Sequence, residues 1–114
     1  MKAVFIEMPV FEKYRSDYLN DDEYLELQNG LLKAPGKGAV IQGTGGLRKI
    51  RWSDDHRGKG KRSGIRIIYY YYVTGSQFWM FTIYDKDEAT NLTKEQKKAL
   101  KKMLEKEVTQ RSQL

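Results

Sequence analysis

The sequence predicts an α+β domain built on a mainly antiparallel sheet. Three observations predict it. Helical periodicity is confined to the two ends of the chain, while strand-like segments follow one another through the middle, and such segregation favours α+β over alternating βαβ units. The 114 residues, 39% of them hydrophobic, suffice for one core and not two. No repeat or low-complexity linker divides the chain, so residues 1–114 are expected to form a single domain.

The elements follow in order. "KAVFI", Lys2 to Ile6, is β-branched and aromatic with no breaker, and reads as a first strand. Pro9 suits the first turn of a helix, and Phe11, Tyr14, Arg15, Tyr18 and Leu19 recur at helical spacing behind it. "NDDE", Asn20 to Glu23, is a capping-box start with acids at the positive end of the helix dipole. Tyr24, Leu27, Gln28 and Leu31 then form one face of a second helix, widened by Leu25 and Leu32, and Pro35 and Gly36 end it. The tyrosines and leucines of this hairpin are expected in the core. "GAVIQGTGG" reads as a short strand entering a turn. Gly43, Gly45 and Gly46 could cradle a phosphate, but no Lys-Ser/Thr pair and no helix follow them, so turn chemistry is the favoured reading. "LRKIRW", Leu47 to Trp52, alternates, with Leu47, Lys49 and Arg51 on one face and Arg48, Ile50 and Trp52 on the other. After a polar turn, "IRIIYYYYV" and "QFWMFTIY" are long strands joined by the hairpin turn "VTGSQ". Thr93 and Gln96 make a second capping box for a last helix. Its apolar stripe is expected to be Ala99, Leu100, Met103 and Leu104, flanked by Lys97, Lys98, Lys101 and Lys102.

Composition excludes several function classes. No run approaches the ~20 apolar residues of a membrane helix, and the first residues lack the length of a secretory h-region. The absence of cysteine rules out disulfides and thiolate metal sites and fits a cytoplasmic protein. A lone histidine, His56, argues against a histidine metal site or a Ser-His-Asp triad, so neither metal nor cofactor is expected. The net charge of +6 is unevenly placed. Residues 48–66 carry eight Lys/Arg against Asp54 and Asp55, while residues 1–34 carry four against seven acids. A concentrated basic segment suits a polyanion such as RNA, although a solvated loop collects charge as well.

Strand parity sorts "IRIIYYYYV". Arg66, Ile68, Tyr70 and Tyr72 share one face, and Ile65, Ile67, Tyr69, Tyr71 and Val73 share the other. If the face of Arg66 coincides with that of Lys49 and Arg51, three cations are held on one rigid surface. Such a set stabilises the charge that builds on non-bridging oxygens when a 2′-OH attacks its adjacent phosphate. A lysine among other cations can also serve as acid or base, and tyrosines can stack on splayed bases. The same surface would serve RNA binding without catalysis.

"GTGGLRKIRW", "KGKRSGIRIIYYYYV" and "FTIYDKDEA" together resemble the HigB branch of the RelE/ParE toxin superfamily, and the resemblance runs through essentially the whole chain. It implies a RelE-like small domain: a curved, mainly antiparallel sheet with two N-terminal helices and a C-terminal helix. It also implies the toxin of a type II toxin–antitoxin system, a ribosome-dependent mRNA endoribonuclease that cuts translated mRNA in the A site and inhibits translation. The implied partners are a HigA-type helix-turn-helix antitoxin, the ribosome and mRNA; the free toxin is expected to be a monomer without membrane association. The family's strand arginine at the scissile phosphate matches Arg66, its paired basic residues match Lys49 and Arg51, and its basic residue after the last strand matches Lys86. Tyr84 lies two residues earlier, where it suits base contact. Arg48, Arg57, Lys59, Lys61, Arg62 and Tyr70 are read as RNA contacts, and His56 as a loop histidine rather than a general acid. The chain departs from the family in placing Asp85 and Asp87 on either side of Lys86, which would either weaken phosphate binding or orient the lysine. A non-catalytic ParE-like gyrase inhibitor and an inactivated RNA-binding relative are the alternatives.

Overall fold

The corner between the first two helices shows how the local signals are realised. In the computed structural model, which describes residues 2–52, 64–72, 74–86 and 91–112, helix α1 (Pro9–Tyr18) is followed by α2 (Asp21–Lys33). The predicted capping box is formed in both directions: Glu23 N–H donates to Asn20 Oδ1 at 2.8 Å, and Asn20 N–H donates to Glu23 Oε1 at 2.8 Å. Arg15 ties the two helices together. Its guanidinium donates to Leu19 O at 3.1 Å and Asp21 Oδ1 at 2.9 Å, and lies over the Tyr24 ring. Phe11, Leu19, Tyr24, Leu27 and Leu31 are buried as the spacing predicts, but Tyr14 and Leu25 are exposed. These two sit on the outer shoulder of their helices, where no described element covers them.

The strands are β1 (Val4–Glu7), β2 (Ala39–Val40), β3 (Arg48–Trp52), β4 (Ile65–Tyr72) and β5 (Gln77–Asp85), and α3 (Lys94–Ser112) closes the chain. They form one sheet in the order β1-β5-β4-β3-β2. β2 to β5 are antiparallel neighbours, and β1 is added in parallel to the outer edge of β5. β1 begins two residues and ends one residue later than its composition suggests, because its extent is set by pairing with Gln77 to Met80. That pairing leads directly into α1, since Met8 N–H donates to Met80 O at 2.9 Å.

The sheet is covered on both faces. Ile50, Ile65, Ile67, Tyr69, Phe78, Met80 and Ile83 pack with α1 and α2. Leu47, Ile68, Trp79 and Phe81 pack with Leu100, Leu104 and Val108 of α3. The division of tyrosines by parity holds: Tyr69 and Tyr71 belong to the first cluster, Tyr70 and Tyr72 to the second. Helix α3 carries the predicted capping box, with Thr93 N–H to Gln96 Oε1 at 2.8 Å and Gln96 N–H to Thr93 Oγ1 at 3.1 Å. Its buried stripe is rotated from the expected one. Leu104 is buried and Leu100 and Val108 half-buried, whereas Ala99 and Met103 are exposed. The sheet meets the helix along the i, i+4 row from Leu100, a row that runs on to Val108 beyond the compact run of apolar residues. The glycine-rich segment is a turn, as favoured above. Gly43, Gly45 and Gly46 all have positive φ, and the Thr44 hydroxyl donates to Ile41 O at 2.7 Å.

Candidate functional site

Antiparallel pairing places directly opposed residues on one face of a sheet. Arg51 of β3 is opposite Arg66 of β4, and Arg66 is opposite Tyr84 of β5. The three side chains therefore form one row across three strands. The next row is Lys49, Ile68 and Thr82. Both rows lie on the α3 side, as the membership of Ile68 and Tyr84 in that cluster shows. The predicted coincidence of Lys49, Arg51 and Arg66 on one face is what the register produces. Arg51 is exposed, whereas Lys49, Arg66 and Tyr84 are half-buried. Like charges directly opposite each other destabilise a sheet, and Arg51 and Arg66 stand in that relation.

Tyr84 reaches this row only because β5 carries a bulge. Strict alternation would put Phe78, Met80, Thr82 and Tyr84 on one face, and Phe78 and Met80 belong to the α1/α2 side. The register shifts between Ile68 and Tyr69, so that Ile68 is opposite Thr82 while Tyr69 is opposite Met80, and Phe81 is the extra residue. Phe81 and Thr82 both end on the α3 side, and Tyr84 follows Thr82 there. Burial raises the Tyr84 pKa above the usual tyrosine value, with the positive charge of Arg66 opposing part of the rise. At neutral pH the phenol is thus a neutral hydrogen-bond donor beside a guanidinium.

The remaining expected site residues are distributed unevenly. Lys86 is exposed just past β5, and its N–H donates to Gly64 O at 2.7 Å, which ties it to the start of β4. Asp85 is opposite Ile65, off the arginine row, and its carboxylate lies against Gly64 beside the Lys86 stem. Arg48 stands on the other face, where it donates to Gly36 O at 3.2 Å and Gly38 O at 2.7 Å; it holds the loop before β2. Tyr70 shares the face of Arg66 but is four residues along β4, about 13 Å away, with its ring 5.3 Å from that of Trp79. The structure does not bring Arg48 or Tyr70 to the row. Arg57, Lys59, Lys61, Arg62, His56 and Asp87 lie outside the described residues.

This architecture is similar to that of the E. coli toxin RelE in the free state, solved as a variant with two arginines changed to alanine. The TM-score is 0.51 at 13% identity, over 79% of this chain and 90% of the RelE chain. The likeness is one of fold. It bears out the expected RelE-like α+β domain, whose sheet is open rather than closed. No family model matches the chain.

Two cavities adjoin the rows, and sequence reasoning identified neither. One, of about 400 Å³, lies between the sheet and α3 and is walled by Ile68, Phe81, Thr82, Tyr84, Ala99 and Met103 among others. Tyr84 is thus shared between an apolar cavity and the cationic row, so a group with a flat apolar part and a charged end fits across it. The second, of about 230 Å³, brings Lys49 together with Lys97 of α3. The only advance signal for either was the amphipathic pattern of the last helix. Among the described residues no cluster of acids and histidines could hold a metal ion, and no helix is long and apolar enough to cross a membrane.

Proposed function

We propose that this chain is a type II toxin of the HigB kind, a ribosome-dependent mRNA endoribonuclease that acts in the cytoplasm and is neutralised by a HigA-type helix-turn-helix antitoxin. The observation that carries the proposal is the row of Arg51, Arg66 and Tyr84, with Lys49 one row away on the same face. The RelE-like fold and the motifs around Arg66 support the same reading.

The row suits internal cleavage of RNA. The 2′-oxygen forms a bond to phosphorus as the bond from phosphorus to the 5′-oxygen breaks. A base takes the 2′-hydroxyl proton, and the departing 5′-oxygen receives one, leaving a 2′,3′-cyclic phosphate and a 5′-hydroxyl. Arg51 and Arg66 clamp the non-bridging oxygens where negative charge accumulates, and the neutral Tyr84 phenol donates a further hydrogen bond. Lys86 is the group bordering this row that suits proton transfer, and Lys49 adds positive charge one row away. Fixed cations supply charge stabilisation but do not by themselves bend RNA for in-line attack, which fits a substrate positioned by the ribosome.

Induced expression is expected to arrest growth and truncate translated mRNAs, while purified protein leaves naked RNA largely intact. Arg66→Ala should abolish cutting with the fold retained by circular dichroism. An Arg66→Ala variant as toxic as the parent overturns the assignment, and accumulation of gyrase–DNA cleavage complexes would replace it with the ParE-like reading.

A further inference from the structure

We propose that Lys97 of α3 and Lys49 of β3 together bind a second phosphate of single-stranded RNA, one nucleotide along from the phosphate held by Arg51 and Arg66. The inference rests on the RNA-cleaving reading above and adds a helix to a site so far built only from strands.

Helix α3 presents Leu100, Leu104 and Val108 to the sheet. Lys97 is three residues before Leu100, so it occupies the sheet-facing side of the helix in its first turns. It is half-buried there, unlike the exposed Lys94, Lys98, Lys101 and Lys102. Its stem passes over Gly43, where an added Cβ would lie 3.9 Å from Lys97 Cδ. Lys97 and Lys49 line the same 230 Å³ cavity, together with Ile41, Gln42, Asn91 and Leu92, and among the described residues no acid contributes to the wall. Among the described residues neither lysine is in an ion pair. Two lysines from separate elements thus line one half-enclosed space, so an anion entering it has a cation available from the sheet and another from the helix.

The spacing selects the anion. Lys49 and Arg51 are two residues apart on one face of β3, about 7 Å. That is comparable with the step between successive phosphates of an extended single strand. A strand with one phosphate at Arg51 and Arg66 therefore presents its neighbour to Lys49 and Lys97. The apolar cavity shares Leu92 with the lysine cavity, so bases are directed toward α3 while phosphates follow the cations.

The test is binding of a 2′-O-methylated RNA of about six nucleotides, which lacks the nucleophile, to the full chain over a range of salt concentrations. Lys97→Gln should weaken binding about five-fold at low salt and reduce the slope of log K against log salt by about 0.7. Lys97→Arg should retain both. Lys98→Gln, on the exposed side of the same turn, should leave the slope unchanged. Equal effects of Lys97→Gln and Lys98→Gln, or an unchanged slope for Lys97→Gln, would overturn the subsite. A parent that binds through Arg66 but is indifferent to Lys97 overturns the subsite alone; a parent that does not bind the RNA even at low salt also overturns the subsite, while the cleavage reading stands or falls separately on truncation of translated mRNAs.

Discussion

Replacing Arg51 with glutamine should stabilise the fold while impairing anion binding. Arg51 and Arg66 are directly opposed on adjacent antiparallel strands, where Cβ atoms are about 5 Å apart. The long side chains can splay, and with Arg51 exposed the medium between the charges is close to water. Two unit charges about 8 Å apart then repel by about 0.5 kcal/mol. Arg51→Gln preserves most of the stem and removes this repulsion, so stability should rise by about 0.3–0.8 kcal/mol at low ionic strength and by less as salt screens the pair. Urea unfolding followed by circular dichroism, at low and moderate salt, measures the gain. Inorganic phosphate should stabilise the parent by RT ln(1 + [L]/Kd) and the variant by less, because half of the clamp is gone. If Arg51→Gln lowers stability, or if phosphate stabilises both proteins equally, the pair is not an anion site and the case for phosphate chemistry at this row fails.

Three further outcomes follow from the packing. Gly30 is inside α2, and a Cβ there would lie 3.7 Å from the Trp52 ring, ordinary contact distance. Gly30→Ala should therefore stabilise the protein by about 0.5–1 kcal/mol, read from the urea midpoint. The Tyr69 hydroxyl accepts from the buried Gly38 N–H at 2.9 Å and donates to Pro35 O at 2.8 Å. Tyr69→Phe should cost about 1–3 kcal/mol by leaving these groups unsatisfied, and should speed amide exchange at Gly38. Burial raises the pKa values of Tyr24, Tyr69 and Tyr84 above the usual tyrosine value. The native state then holds protons that the unfolded chain has released. The stability from these groups is complete below about pH 10 and is lost as pH rises through the raised values. A phenolate absorbance titration should show part of the tyrosine signal appearing only as the fold opens, and a signal complete before unfolding would contradict the burial argument.

What the sequence revealed follows from which forces act locally. The capping boxes at Asn20 and Thr93 were legible because donor and acceptor are three residues apart, and both form. The tyrosine run was legible because β4 keeps its alternation. The orientation of Tyr84 was not. "QFWMFTIY" contains no Gly or Pro to signal a bulge, and the parity slip at Phe81 is imposed by pairing with β4. The rotation of the α3 stripe was hidden for a similar reason: Ala99 and Met103 are apolar, but the sheet selects Leu100, Leu104 and Val108. Arg48 looked like part of the basic surface by composition, and only its neighbours reveal that it secures loop carbonyls.

The bulge also explains how one short sheet accommodates a core and a charged site together. Along the α3 side of β4, Tyr72, Tyr70 and Ile68 are packed against Trp79, Phe81 and α3, and Arg66 comes next in the same line. Along β4 the apolar part of that face ends one row before Arg66, so Arg66 is supported by a rigid strand without being sealed from water. If β5 kept all its residues in unbroken alternation, Phe81 would pair with Ile68, Arg66 would face Ile83, and Tyr84 would point toward α1 and α2. Pairing and packing up to Phe81 would be little changed, but the cationic row would lose its neutral donor. Deleting Phe81 itself should keep the row, since Thr82 then follows Met80 directly and Tyr84 stays opposite Arg66. Phe81→Ala is the control, since it opens a cavity costing about 3–5 kcal/mol but retains the register. If both variants are compared at temperatures where each remains folded, the deletion and Phe81→Ala should both retain RNA cleavage. Loss of cleavage in the deletion alone would show that Tyr84 does not reach the row through this register.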